Sequence, residues 1–202
     1  MIKAIGFDFG GVISRYTTEV PYTTETLGVD KDLFFNEYHK INHLANVTGS
    51  KTYAEVVEII ARKLKVSEDK IKKAKEDTEI RQQSAKIDQQ IVNLIKEIKA
   101  KNYQVCLISN HGLTLRSDLD KNKLLELFDE IIISQEVGYQ KPNPQIFKLA
   151  LASLNIRPEE FIFIDDHRTP LETAKEIGYV PILYKDMSVA DLKKELQKYI
   201  QL

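Results

Sequence analysis

Tryptophan is missing from this sequence, and cysteine occurs once, at Cys106. A lone thiol excludes an internal disulfide, and its place inside the apolar run VCLI reads as a buried core residue rather than a nucleophile. Neither sign of charge is in excess: 29 Lys plus Arg stand against 30 Asp plus Glu, a formal net charge of −1. Nucleic acid and anionic membranes both need clustered positive charge, so neither is an expected partner. The densest basic stretch, residues 62–77, interleaves its lysines with acids and reads as a solvated helix face. No apolar run approaches the length of a bilayer, and the first residues lack the basic, apolar and small-residue order of a secretory signal. A reducing cytoplasm is the expected location. What is present is an apolar fraction of 43% in 202 residues, enough for one medium domain or for a domain with a smaller insertion.

Five short runs rich in β-branched and large apolar residues are candidate strands: AIGF (4–7), QVCLI (104–108), EIIIS (130–134), FIFI (161–164) and VPILY (180–184). They do not alternate with polar residues, so both faces of the sheet are expected to be covered. Helical patterns separate them. Ile87, Ile91, Leu94, Ile95 and Ile98 recur at helical spacing, as do Ile146, Phe147, Ala150, Leu151 and Leu154 after Pro144. Thr169 and Pro170 offer an N-cap and a first-turn proline for a helix ending near Gly178. Val189, Leu192, Leu196 and Ile200 form the inward stripe of the tail. Alternating strand and helix predict a doubly wound parallel α/β sheet.

The alternation breaks once. About seventy residues after the first strand show helical patterns and no convincing strand. Residues 30–45, 52–64 and 67–83 read as helices, with Ser67 available to cap the third. We therefore expect a core domain of residues 1–14 and 85–202, with residues 15–84 inserted as a helical cap.

In an open α/β sheet, ligands bind beyond the carboxyl ends of the strands. The first strand runs into IKAIGFDFGGVIS and ends in Asp8, ahead of Gly10 and Gly11. The second ends in Ser109 and Asn110, read as the head of a helix; the third leads to Lys141, before two prolines; the fourth ends in Asp165 and Asp166. Carboxylates pushed together repel one another unless a cation sits among them, and oxygen-only ligands suit Mg²⁺. A hydroxyl, a helix N-terminus and a lysine suit phosphate. Each feature alone is explained by helix capping or by solvation. Together, at four consecutive strand ends, they would let Asp8 attack phosphorus while Mg²⁺ and Lys141 neutralise the oxygens.

The motifs FDFGGVI, LISN, GYQKPNPQIF and FIDDHRTPLETAKEIG, in this order and spacing, resemble those of the haloacid dehalogenase-like hydrolase superfamily. The likeness covers nearly the whole chain and is to the phosphatases with a helical cap after the first strand of a Rossmannoid core. It implies Asp8 as the nucleophile that forms an aspartyl-phosphate, with Ser109 and Asn110 holding the phosphoryl group. It implies Lys141 pairing with both nucleophile and phosphate. Asp8, the Gly10 carbonyl and Asp166 would bind Mg²⁺, and Asp165 would do so directly or through water. The implied substrate is a small phosphorylated metabolite, sugar phosphates included.

Two positions depart from the family pattern. Gly10 stands where the phosphatases usually carry a second aspartate as general acid and base, and Pro170 where relatives often have asparagine. Dehalogenases of the superfamily also lack that aspartate, but they need no metal, and the Asp165–Asp166 doublet would then lie unneutralised beside Asp8. A mutase needs the missing acid, and a receiver domain carries its acidic pair at the first strand. The remaining alternative is a catalytically weak relative that binds a phosphorylated ligand or a protein partner. His111 and His167 are candidates for the absent acid, against the simpler reading of exposed loop histidines. His39 and His43, four residues apart on one helical face, read as surface or substrate-facing rather than as a zinc pair. Selectivity is expected from the cap with Arg15 and Tyr16. The sequence fits a monomer and a homodimer equally.

Overall fold

The computed structural model describes residues 1–17 and 21–202. The chain divides into two compact units, one of Met1–Arg15 with Ile87–Leu202 and one of Tyr16–Lys86.

The first unit is built on a five-stranded sheet. Its strands are β1 (Ala4–Phe7), β4 (Gln104–Ser109), β5 (Glu130–Ile133), β6 (Phe161–Asp165) and β7 (Val180–Leu183), numbered with two short strands, β2 (Ser14–Tyr16) and β3 (Ala85–Ile87). All pair in parallel in the order β5-β4-β1-β6-β7, which puts the N-terminal strand in the middle. Successive side chains of a strand point to opposite faces, so an apolar run serves two cores at once. Ile5, Phe7, Val105, Leu107, Ile162 and Ile164 join one cluster, with Ile91, Ile95 and Ile98 of helix Gln89–Ala100 and Leu192 and Leu196 of helix Val189–Leu196. Ala4, Cys106, Ile108, Phe161 and Phe163 join the other, with Ile146, Phe147 and Ala150 of helix Pro144–Leu154 and Leu171 and Ala174 of helix Arg168–Ile177. Both faces are covered, as the unbroken apolar runs predict. Gly6 lies where a Cβ would come within 2.6 Å of the Phe161 ring, so a larger residue would displace that buried aromatic.

Several boundaries differ from the sequence reading. Asp88 starts helix Gln89–Ala100, its Oδ1 accepting from the Gln90 N–H at 2.9 Å and the Ile91 N–H at 3.4 Å. Ile87 thus belongs to β3, which pairs with β2 in a two-stranded sheet, although it still packs on the first core. Thr169 is not an N-cap. The helix begins at Arg168, and the preceding backbone N–H, that of His167, goes to Asp165 Oδ1 at 2.8 Å. Ser67 does occupy the N-cap position of its helix, but its side chain makes no capping bond.

The inserted unit is helical: Thr23–Leu27, Lys31–Ile41, His43–Asn46, Tyr53–Lys63 and Glu68–Gln83. Its core is Leu27, Phe34, Val56, Val57, Ile60, Ile71 and Ala74. Two starts are explained by local chemistry. Asp30 Oδ1 accepts from the Leu33 N–H at 2.9 Å, while Thr52 and Glu55 bond each other's backbone N–H at 3.2 and 2.7 Å, a capping box. The helix holding His39 ends at Ile41, and His43 opens a separate four-residue helix. The two histidines therefore do not share one helical face, as their spacing alone suggests.

Candidate active site

The parallel register brings the ends of β1, β4 and β6 to one edge. The Asp8 N–H continues the β1 ladder by donating to the Ile164 carbonyl at 2.9 Å, which fixes the direction of its side chain. Asp8 Oδ1 accepts from the Phe9 N–H at 2.7 Å and lies 2.8 Å from Lys141 Nζ. Oδ2 takes neither contact. Lys141 is buried and lies 2.7 Å from Asp165 Oδ2 as well. Asp165 is itself fully buried, with Oδ1 on the His167 N–H and Oδ2 on Lys141, so both of its oxygens are engaged.

Asp166 differs from its neighbour. Its side chain is 27% exposed, its Oδ2 lies 3.6 Å from His167 Nε2, and its buried Oδ1 has no hydrogen-bond partner among the described residues. An orphaned buried carboxylate oxygen costs free energy unless a cation meets it. Oxygens of Asp8, Asp165 and Asp166 all lie within 4.8 Å of one another. Three carboxylates face one ammonium, and an all-oxygen donor set of that charge suits a hard divalent cation such as Mg²⁺. The open oxygens belong to Asp8 and Asp166, so those two residues fit the ion best.

The electrostatics agree. Burial pushes the Asp8 carboxyl up to about 7; Lys141 opposes that rise, and the Asp165 charge adds to it. Burial likewise raises Asp166, with Asp165 contributing. Burial would lower Lys141, but the carboxylates of Asp8 and Asp165 outweigh it and hold the ammonium above its ordinary value.

The two glycines serve different ends. Gly11 has φ 77°, and a Cβ there would sit 2.3 Å from Asp166 Oδ2, so any side chain would collide with the carboxylate that has the open oxygen. Gly10 has no such constraint: its φ is not positive, and a Cβ would meet nothing within 4 Å.

Ser109 is buried at the end of β4. The helix after it is Thr114–Lys121, which begins four residues past Asn110. Ser109 and Asn110 therefore do not stand at a helix head, and the loop between is held by side chains instead. The Asn110 amide bonds the Lys141 backbone on both sides, through Nδ2 to the carbonyl at 2.8 Å and Oδ1 from the N–H at 2.7 Å. The His111 N–H donates to Ser134 Oγ at 3.0 Å, and the Leu113 N–H to Gln135 Oε1 at 2.9 Å. Ser134 and Gln135 are the residues that sequence reasoning missed. The signal was a pair of polar residues closing the apolar run of β5.

His111 Nδ1 lies 3.1 Å from the Gly112 carbonyl, and the ring packs edge-on against Phe9 at 6.0 Å. The His167 side chain is 74% exposed. Arg15 is tied within the first unit: it pairs with Asp88 at 3.3 Å, donates to the Tyr184 hydroxyl and lies over that ring at 5.0 Å. Tyr16 is exposed.

The family model described as haloacid dehalogenase-like hydrolase matches residues 7–183. D-ribitol-5-phosphate phosphatase of Bacteroides thetaiotaomicron is 26% identical, and the match covers 97% of both chains. Bifunctional epoxide hydrolase 2 of Sus scrofa is 29% identical over 98% of this chain, which spans only 38% of that protein's length. Among solved structures, a HAD family enzyme from Bacteroides thetaiotaomicron in complex with magnesium and inorganic phosphate superposes with a TM-score of 0.63. It is 26% identical, and the match covers 95% of this chain and 99% of that one.

Proposed function

Since this chain belongs to the haloacid dehalogenase-like hydrolases, we propose that it is a Mg²⁺-dependent phosphatase of small phosphorylated metabolites. One observation carries the reading: a buried carboxylate, Asp8, has one oxygen anchored by Lys141 and a backbone N–H while the other stays free. Phosphatase relatives and a relative solved with magnesium and phosphate support it.

In this reading the Asp8 carboxylate attacks phosphorus. The phosphorus–oxygen ester bond breaks, and its electron pair leaves on the alcohol oxygen, which takes up a proton. Water then attacks the aspartyl-phosphate at phosphorus, the bond to Asp8 breaks, and inorganic phosphate and the free carboxylate result. Lys141 offsets charge on the phosphoryl oxygens, and the Ser109 hydroxyl donates to one of them. Asp165 holds Lys141 and, through the His167 N–H, the loop ahead of the next helix. Asp8, Asp166 and the Gly10 carbonyl would hold Mg²⁺, which would supply neutralising charge at the phosphoryl group.

A second reading, a phosphate-binding relative with little turnover, is favoured by Gly10 alone. Steady-state hydrolysis of p-nitrophenyl phosphate and a panel of sugar phosphates separates the two. We expect Mg²⁺-dependent turnover that Asp8→Asn lowers by more than about 10³-fold, because an amide is a poor nucleophile toward phosphorus. Full activity in that variant, or undiminished hydrolysis in excess chelator, would overturn the assignment. Binding of phosphate without turnover by the wild type would select the second reading.

A further inference from the structure

Lys141 lies in a loop, between the αL residue Gly138 and the helix that opens at Pro144. No strand ladder fixes its backbone. Its ammonium must nonetheless stay within hydrogen-bond distance of two carboxylates, Asp8 and Asp165. The element that holds it is a side chain thirty-one residues away. Asn110 Nδ2 donates to the Lys141 carbonyl, and Asn110 Oδ1 accepts from the Lys141 N–H. An amide used this way closes a ring around one residue, much as a neighbouring strand would, and fixes both peptide planes that flank its Cα. Oδ1 and one of the two Nδ2 hydrogens are engaged in this ring, which leaves a single N–H on the side chain.

We infer that Asn110 is a positioning residue: it clamps the Lys141 backbone so that the ammonium meets Asp8, rather than gripping the substrate itself. A misplacement of about 1 Å in a catalytic group can cost about 10²-fold in rate, so the clamp should be visible in kinetics. The kinetic arm of the test rests on the phosphatase reading; a second arm does not.

The first arm is a double-mutant cycle on p-nitrophenyl phosphate with Mg²⁺, using Asn110→Ala, Lys141→Ala and the pair. We expect Asn110→Ala to lower kcat by about 10²-fold with KM within about threefold, and to change the rate less than about twofold once Lys141 is already alanine. Losses that multiply, or a rise confined to KM, would mean that Asn110 contacts the phosphoryl group and would overturn the inference. The second arm needs no substrate. Acetylation of Lys141 by acetic anhydride, followed by mass spectrometry, should be about tenfold faster in Asn110→Ala, because loss of two bonds lets the loop open more often. Unchanged labelling would also overturn the clamp. If the wild type hydrolyses no ester, the phosphatase reading fails while the labelling still decides this one. Asn110→Asp, which keeps the acceptor and loses the donor, replaces the alanine variant if the latter does not fold. Failure of both to fold would assign Asn110 to the fold and overturn the proposal.

Discussion

Glycine at position 10 has a chemical cost and no structural one. Its backbone φ is not positive, and no atom lies within 4 Å of where a Cβ would stand, so nothing in the structure requires a glycine there. In the proposed reaction that residue cannot hand a proton to the departing alcohol. General acid catalysis is typically worth about 10²–10⁴-fold, so leaving groups that need no proton should be favoured. Aryl, acyl and anomeric sugar phosphates are expected to turn over faster than simple alkyl phosphates. Gly10→Asp is expected to narrow the difference, since the side chain has room. Rates for wild type and variant on a series of esters with graded leaving-group pKa check this. A flat series in wild type would mean that another group supplies the proton, and His111→Gln and His167→Gln would then find it. The gathering of Asp8, Asp165 and Asp166 was legible because each ends a strand or directly follows one, and a parallel sheet sends strand ends to one edge; Lys141 joins them from the loop beyond β5. The direction of Asn110 was not, because its partner is a loop backbone far along the chain.

Among the elements, the short 3-10 turn Pro158–Glu160 sets the start of β6 against the start of β1. Glu160 accepts from the Arg157 N–H at 3.0 Å and pairs with Lys3 at 2.9 Å, while its carbonyl accepts from the Lys3 N–H at 2.8 Å. The Arg157 backbone bond, followed by Lys3, holds the carboxyl down at about 2, against an ordinary value of 4.5. A carboxyl held low stabilises the folded chain above pH 4.5, and that contribution is lost as pH falls toward about 2. Glu160→Gln is therefore expected to melt at a lower temperature than wild type at neutral pH, with the difference shrinking below pH 4.5. Melting curves between pH 7 and the acid limit test it; curves that stay parallel would refute it. Four of the five sheet strands were readable because nearly every residue of each is buried, which writes an unbroken apolar run; β7 at the sheet edge buries only Ile182 and was readable from its apolar composition alone. β2 and β3 were not, since each has three residues and most of them face solvent. Thr169 misled because the Ser/Thr-before-Pro signal is local, whereas the start of that helix is fixed by the carboxylate of Asp165.

At the scale of the whole molecule, two units carry separate cores, and the proposed cation ligands all belong to the α/β unit. Calorimetry is expected to resolve two transitions, of which saturating Mg²⁺ raises one. At a hundred times Kd, binding adds about 2.7 kcal/mol, and about 2–4 °C accompanies each kcal/mol in a chain of this size. Asp166→Asn should abolish the shift, whereas a single transition that shifts as a whole would show that the units unfold as one. The strand order has a further effect, felt during synthesis. β1 is the middle strand, yet it precedes β4 by 97 residues, from Phe7 to Gln104, and β6 lies later still. At about 5–20 residues per second, the nascent strand waits roughly 5–20 s for its first neighbour. The inserted helices are made within that interval and are complete at Gln83, so they can collapse onto Phe34 and Ile60 before β4 begins at Gln104. β1 lacks its sheet neighbours meanwhile, so the segment that leads into the proposed nucleophile is both the earliest of the sheet to leave the ribosome and the one most open to capture by a holdase chaperone.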